Sequence, residues 1–307
     1  HVLPMFYNAG LLNAYLAPLM VGGAIVEGPQ FSFRTMLNFW KRPIKFKANY
    51  VCLTPTIAEA LCQLVPKNYN GEVSKGSIAN IICSGSSLTD ETREKFRNTF
   101  GISLRDCYGI TELGGPVTLQ SPEDAMTSVD SGSFMPGVDY ELRSVGEGSD
   151  ELWLKSKYEM QGYFDVKGFS KTVDRKGCTS TGDLAKVDNG RLNIVGRSKD
   201  VIIRGGENIN PLFIENELCR VPGVMEVAVI GEKHVFWGES VTACVRIKNK
   251  VEPCRLRTSI YRYVEENLSP IYRPDRIVFV TDYPRTSIGK IKKQELKGRL
   301  VDYKIDD

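Results

Sequence analysis

Residues 78–107 constrain the fold more than any other stretch. A short β-branched apolar run at 78–83 ends in Ser84-Gly85-Ser86-Ser87, a charged segment follows at about 90–100, and a second apolar run leads to Cys107. Thr89 can cap the charged segment as a helix, and Asp90 and Glu91 suit the positive end of its dipole. Strand, Gly/Ser turn, helix, strand is the grammar of a parallel α/β sheet, because parallel neighbours need a crossover that a helix supplies. The fold class expected is therefore α/β for the first part of the chain.

From about Gly132 the texture changes to short strands with frequent turns. Residues 140–145, 151–155, 182–187 and 191–195 read as strands of a β-rich subdomain, and Asp188-Asn189-Gly190 reads as a hairpin turn. A second change comes at Gly196-Arg197-Ser198-Lys199-Asp200. Beyond it, Asn210-Pro211 opens a helix to about Leu218, strands follow at 224–230 and 241–247, a helix at 255–268, a strand at 276–280 and a last helix at 292–300. This makes three expected bodies: 1–131, a partial α/β subdomain; 132–198, β-rich; and 199–307, a small α+β domain on a hinge at Lys199. The apolar stretch 11–26, broken by Asn13, Pro18 and Gly22-Gly23, reads as a buried helix, a turn and a short strand at 24–26.

Composition excludes several classes. A net charge of +3 on 307 residues gives no basis for a nucleic-acid partner, and no run of eighteen apolar residues suggests a membrane span. Eight dispersed cysteines suit reduced thiols in a cytoplasmic setting, and two histidines leave little for a zinc site or a serine triad. The opening residues lack the pattern of a signal sequence. They enter the apolar phrase Val2-Leu3-Pro4-Met5-Phe6 with no initiator Met, so further chain upstream is expected.

Four phrases can carry chemistry. Tyr108-Gly109-Ile110-Thr111-Glu112 follows a strand end, where α/β sheets bind ligands; an aromatic, a glycine, a hydroxyl and a carboxylate there suit a purine, a close backbone approach, a phosphate and Mg²⁺. Ser180-Thr181-Gly182-Asp183 can offer a carboxylate to ribose hydroxyls, although Gly-Asp is also ordinary turn chemistry. Gly196 to Asp200, with the strand and Gly205-Gly206 that follow, suits a hinge. In Pro284-Arg285-Thr286-Ser287-Ile288-Gly289-Lys290, the lysine can present a cation to a developing anion, or be one more solvated lysine in a basic stretch.

In this order and at these separations the four phrases resemble the core motifs of the adenylate-forming superfamily, which includes acyl-CoA synthetases. Pro4, Phe6 and Gly10 match its aromatic motif, and Glu151-Leu152, Gly162-Tyr163 and Thr172 match the motif before its ribose-binding aspartate. The resemblance implies an ATP-dependent acid–CoA ligase that forms an acyl-adenylate and pyrophosphate, then an acyl-CoA and AMP. It implies a carboxylic acid, ATP and coenzyme A as substrates, with Mg²⁺. Loading of an acyl-carrier-protein thiol, or a shortened non-catalytic relative that binds nucleotide, are the alternatives.

By the same resemblance Gly85, Ser86, Asp106, Cys107, Tyr108 and Gly109 would line the nucleotide, and Thr111 would touch phosphate. Glu112 would hold the metal, Asp183 and Arg197 the ribose, and Lys290 would bridge the acid and the α-phosphate. Tyr7, Tyr50, Thr54, Gly109, Leu113 and Gly114 would wall the acyl pocket, an aryl or medium-chain one, and Gly205 and Gly206 the coenzyme A tunnel. The chain departs from the pattern at Tyr7 (usually His), Asp106-Cys107 (usually Gln-Gly), Asp150 (usually Gly) and Arg191 (usually aromatic). Nothing matches the family's Ser/Thr/Gly-rich phosphate loop, so this chain alone is expected to be inactive or impaired.

Overall fold

A computed structural model describes residues 1–29, 32–64, 73, 78–146, 149–166, 168–170, 173–248, 251–286 and 289–300. Thr172, Ser287 and Ile288 lie outside the described residues. The chain divides into two compact units. The first is His1–Arg143, Leu152–Thr181 and Lys186–Ile194, and the second is Ser144–Glu151, Gly182–Ala185 and Val195–Asp307.

The first unit contains the expected parallel sheet. Strands Tyr50–Leu53, Asn80–Ser84 and Leu104–Cys107 lie side by side in that order, all parallel. The helix over Asp90–Phe100 starts where its sequence says it should: the Thr89 side chain accepts from the Thr92 amide, and Gly101 ends the helix in the left-handed region. Its inward positions Thr92, Arg93, Phe96 and Phe100 are buried. Phe96 and Phe100 close on Trp40 with ring centroids 6.4 and 5.2 Å away, and Leu53, Leu61, Ile81 and Leu104 fill the rest of this core. Burying such rings and branched chains contributes roughly 1.5–3 kcal/mol each, which outweighs the weak helix propensity of this charged segment.

Residues 11–26 differ from expectation. A π-helix spans Ala9–Leu16 and one α-turn follows at Ala17–Met20, but residues 24–26 form no strand. Ala9, Gly10 and Ala14 are buried while Leu11, Leu16, Leu19 and Met20 are exposed, so this is not the buried helix its apolarity implied. The small residues face inward because Gly10 sits against the Pro4 carbonyl, where a Cβ would lie 2.1 Å from the oxygen.

Six strands make the β-rich sheet, in the order Thr118–Leu119, Ser133–Phe134, Arg191–Arg197, Thr179–Asp188, Ser149–Ser156 and Val138–Gly146. Asn189 and Gly190 adopt φ of 49° and 75° at the turn between two of them, the conformation that an Asn-Gly hairpin requires.

In the second unit, Val224–His234 pairs antiparallel with Gly238–Ile247, which pairs parallel with Arg276–Val280. The hairpin Ile202–Arg204 with Glu207–Ile209 extends the sheet. Helix Pro211–Cys219 is capped by Asn210, as its sequence indicates, and helix Pro253–Asn267 buries Leu256, Ile260 and Val264 against the same core. Among the described residues no helix is long and apolar enough to cross a membrane.

Candidate active site

Three parallel strands end at Leu53, Ser84 and Cys107, so Thr54, Gly85 and Tyr108 emerge together at the carboxyl edge of the sheet. Ligands bind at this edge in open α/β sheets because loops, and not the next helix, occupy it. Gly85 holds φ +100°, and a Cβ there would lie 2.3 Å from the Tyr7 hydroxyl and 3.8 Å from Thr54 Cγ2. Tyr7, Thr54 and Gly85 are thus mutual neighbours. The Tyr50 hydroxyl donates to the Asn13 carbonyl at 3.1 Å. Burial pushes the Tyr7 and Tyr50 phenols up from their ordinary range, so both remain neutral donors. Cys52, Cys83 and Cys107 are buried free thiols, each pushed up by the same loss of water.

Past Tyr108 the chain forms a small clamp. Gly109–Ile110 pairs antiparallel with Gly115–Pro116, and Thr111–Leu113 makes one 3₁₀ turn between them, ended by Gly114 in the left-handed region. A Cβ on Gly109 would lie 2.3 Å from the Gly115 carbonyl oxygen. Gly109→Ala is therefore expected to cost about 1–3 kcal/mol, read as a lowered urea midpoint, because backbone and not a movable side chain stands in the way.

The Thr111 side chain is exposed, and Glu112 is held from two directions: the Met160 amide donates to its carbonyl at 2.8 Å, and the Tyr163 hydroxyl donates to its Oε1. That hydrogen bond pushes the Tyr163 phenol up to about 12. Among the described residues no cluster of three or more His, Cys, Asp or Glu could hold a metal by itself. A single hard carboxylate beside a hydroxyl fits Mg²⁺, which is usually bound by one or two carboxylates with phosphate oxygens and water completing its shell.

Asp106 stands on the strand Leu104–Cys107, two residues before Tyr108. Its carboxylate is buried and turned to Arg93, 2.8 Å away, and Gln120 accepts from Arg93 at 3.0 Å and from the Asp106 amide at 2.8 Å. Burial outweighs the neighbouring cation and pushes this carboxyl up to about 6. Gln120 also donates to the Asp130 carbonyl at 2.7 Å, and the Asp130 side chain is gripped by Arg191, which also reaches Asp124 at 2.7 Å. Arg191 thus replaces an aromatic with an ion-pair hub. Sequence reading missed Arg93 and Gln120; the one available signal was an arginine on the Thr92, Phe96, Phe100 stripe of an amphipathic helix.

The second unit brings three of the expected residues together. Asp183 is buried and pairs with the half-exposed Arg197 at 2.8 Å, and the Ser198 hydroxyl donates to the Gly182 carbonyl at 3.2 Å. Lys290 feels both charges: partial loss of water and then Arg197 lower its pKa, while Asp183 opposes them. Lys292, Lys293 and Lys297 are paired with Glu295, Glu215 and Glu239, whereas among the described residues Lys290 makes no ion pair. This separates it from the rest of the basic stretch.

Lys199 lies exposed in the 3₁₀ turn Ser198–Asp200. Gly205 and Gly206 line an open cleft of about 960 Å³ with Ile203, His234, Phe236 and Trp237. The Gly205 amide donates to the Trp237 carbonyl at 2.8 Å, and a Cβ on Gly205 would meet the indole at 3.0 Å. Phe236 and Trp237 are a second omission of the sequence reading, discoverable as aromatics at a hairpin tip.

Residues 1–164 match the AMP-binding enzyme family, and residues 214–290 match the AMP-binding enzyme C-terminal domain. The chain belongs to the AMP-binding enzymes, as its motif order indicated. It is 30% identical over 314 residues to medium-chain acyl-CoA ligase ACSF2, mitochondrial, of Macaca fascicularis, covering 97% of this chain and 49% of that protein. It is 27% identical over 339 residues to malonate–CoA ligase ACSF3, mitochondrial, of Mus musculus, covering 98% and 57%. Among solved structures, the ATP-bound RpMatB-BxBclM chimera B1 superposes with a TM-score of 0.86 at 27% identity, over 98% of this chain and 60% of the chimera. The chain spans about half the length of the curated relatives it matches.

Proposed function

We propose that the protein carrying this chain is an ATP-dependent, AMP-forming acid–CoA ligase. What supports this reading is the Asp183–Arg197 pair at 2.8 Å, with Lys290 in the same unit and making no ion pair among the described residues. Asp183 is a carboxylate held by Arg197, suited to accept from two ribose hydroxyls, and Lys290, in the same unit, has no carboxylate partner among the described residues. A cation so placed is drawn to negative charge that builds on the acid carboxylate and the α-phosphate during adenylation.

On this reading Tyr108, at the sheet edge, would stack on the purine, and Thr111 and Glu112 would meet the phosphates. Mg²⁺, bound there with the phosphates, would draw off phosphate charge and favour departure of pyrophosphate. Glu112 holds that end in place, with Tyr163 and Met160 fixing its orientation. Tyr7 and Thr54 bring an aromatic ring and hydroxyl groups to the sheet edge beside Gly85, which favours an aryl or medium-chain acid. The cleft of Gly205, Gly206 and Trp237 suits a narrow thiol arm with an aromatic surface beside its entry, the shape of coenzyme A.

The test is acid-dependent exchange of labelled pyrophosphate into ATP, by the protein expressed from its natural reading frame, across aryl and fatty acids. Exchange with one class is expected. Silence across the panel, from folded protein with Mg²⁺ present, removes adenylation from consideration.

A further inference from the structure

Lys290 follows Gly289 on a segment whose two described flanks are hydrogen-bonded to each other. The Lys292 amide donates to the Pro284 carbonyl at 2.8 Å, the Thr286 amide to the Lys290 carbonyl at 2.8 Å, and the Lys290 amide to the Thr286 hydroxyl at 3.1 Å. Arg285 and Ile291 form an antiparallel bridge across its base. All these bonds lie within the segment, so they define its shape and not its aim.

The segment also has a soft point. Gly289, directly before Lys290, holds φ +90°, a conformation glycine adopts freely and leaves as freely. Its carbonyl accepts from Arg285 Nη1 at 2.9 Å. Arg285 is fixed in turn, since Nη2 donates to Glu226 Oε2 at 2.5 Å and the guanidinium lies 5.5 Å from the centre of the Tyr283 ring. Tyr283 is buried and donates to the carbonyls of Glu226 at 3.0 Å and Cys244 at 2.9 Å, which belong to the paired strands Val224–His234 and Gly238–Ile247. A planar guanidinium with several donors in fixed directions can join a carbonyl and a carboxylate in one geometry, which a lysine cannot do.

We propose that Arg285 is a positioning residue for Lys290, pinning the Gly289 peptide to the Glu226 strand so that the lysine stays beside the Asp183–Arg197 pair. This rests on the reading of Lys290 as the cation of the adenylation step, and it assigns Arg285 no contact with substrate. Without the pin, Gly289 can turn, and Lys290 can leave the field that sets its protonation.

The experiment reads Lys290 in this chain directly. Short pulses of acetic anhydride across pH 7–11, followed by peptide mass spectrometry, give a labelling midpoint for Lys290. In Arg285→Ala the Lys290 midpoint is expected to move up. Arg285→Lys, which keeps the charge but not the fork, restores only part of the shift. Glu226→Gln, which loosens Arg285 without removing it, moves the midpoint the same way and serves should Arg285→Ala fold poorly. An unmoved Lys290 midpoint in folded Arg285→Ala or Glu226→Gln overturns the positioning role. Pyrophosphate exchange that survives Lys290→Ala in the naturally encoded protein overturns the underlying reading of Lys290 instead, and with it any catalytic purpose for the pin.

Discussion

On the proposed reading, Lys290→Ala in the protein expressed from its natural reading frame is expected to slow adenylate formation by about 10²–10³-fold, while thioester formation from a supplied acyl-adenylate proceeds near its original rate. The magnitude is that of removing one preorganised charge partner from a transition state. The split between half-reactions follows from where charge develops: on carboxylate and phosphate oxygens in the first step, and at a thiol and the departing AMP in the second. KM for ATP should change little, because the lysine meets charge that appears mainly at the transition state. Rapid-quench measurement of each half-reaction separates these cases. Equal loss in both would show that Lys290 supports the site as a whole and not the adenylation step.

The second large effect is on stability, and it runs against ordinary acid behaviour. Arg93→Met is expected to cost about 3–5 kcal/mol at pH 7, because it leaves the buried Asp106 carboxylate without its cation. Asp106 titrates at about 6 even with Arg93 present, above the value of 3.8 for a solvated aspartate. A carboxyl raised in the folded state binds its proton more tightly there than in the unfolded chain, so acidification from pH 7 through about 6 towards 4 favours the fold at this group. Without Arg93 the carboxyl rises further, and the deficit of the variant should shrink on going from pH 7 to pH 5. Adding Asp106→Asn to Arg93→Met should recover part of the loss and remove this pH dependence. Urea unfolding of the single and double variants at both pH values checks this; a deficit that grows on acidification would show that Arg93 acts without reference to Asp106.

Local signals were the ones legible in the sequence. Thr89 before Asp90-Glu91, Asn210 before Pro211, and Asn189-Gly190 each set a backbone conformation within a few residues, and each stands in the structure as expected. The parallel sheet was legible because only a strand–helix–strand order suits residues 78–107. What failed needed knowledge of partners. The burial of residues 11–26 depends on what packs beside them, and the π-helix instead turns its small residues inward. The Arg93 partner of Asp106 was not legible, because only the strand register and a helix thirteen residues earlier reveal it. The pin from Arg285 to Glu226 spans 59 residues and leaves no local pattern.

The threading of the two units has a consequence for how such a molecule can be divided or recombined. Residues 144–151, 182–185 and 195–307 make one unit, and the other takes the three stretches between and before them, so the chain passes from one to the other five times. A cut at Lys199 keeps every described strand with its paired neighbours, since the six-stranded sheet lies before it and the five-stranded sheet after it, yet it divides the second unit. Gene fusions that exchange only the segment after residue 199 between relatives would therefore inherit 144–151 and 182–185 from the recipient, and Asp183 with them. A chimera built that way pairs one parent's Asp183 with the other's Lys290, and its compatibility is decided by those twelve residues as much as by the segment exchanged.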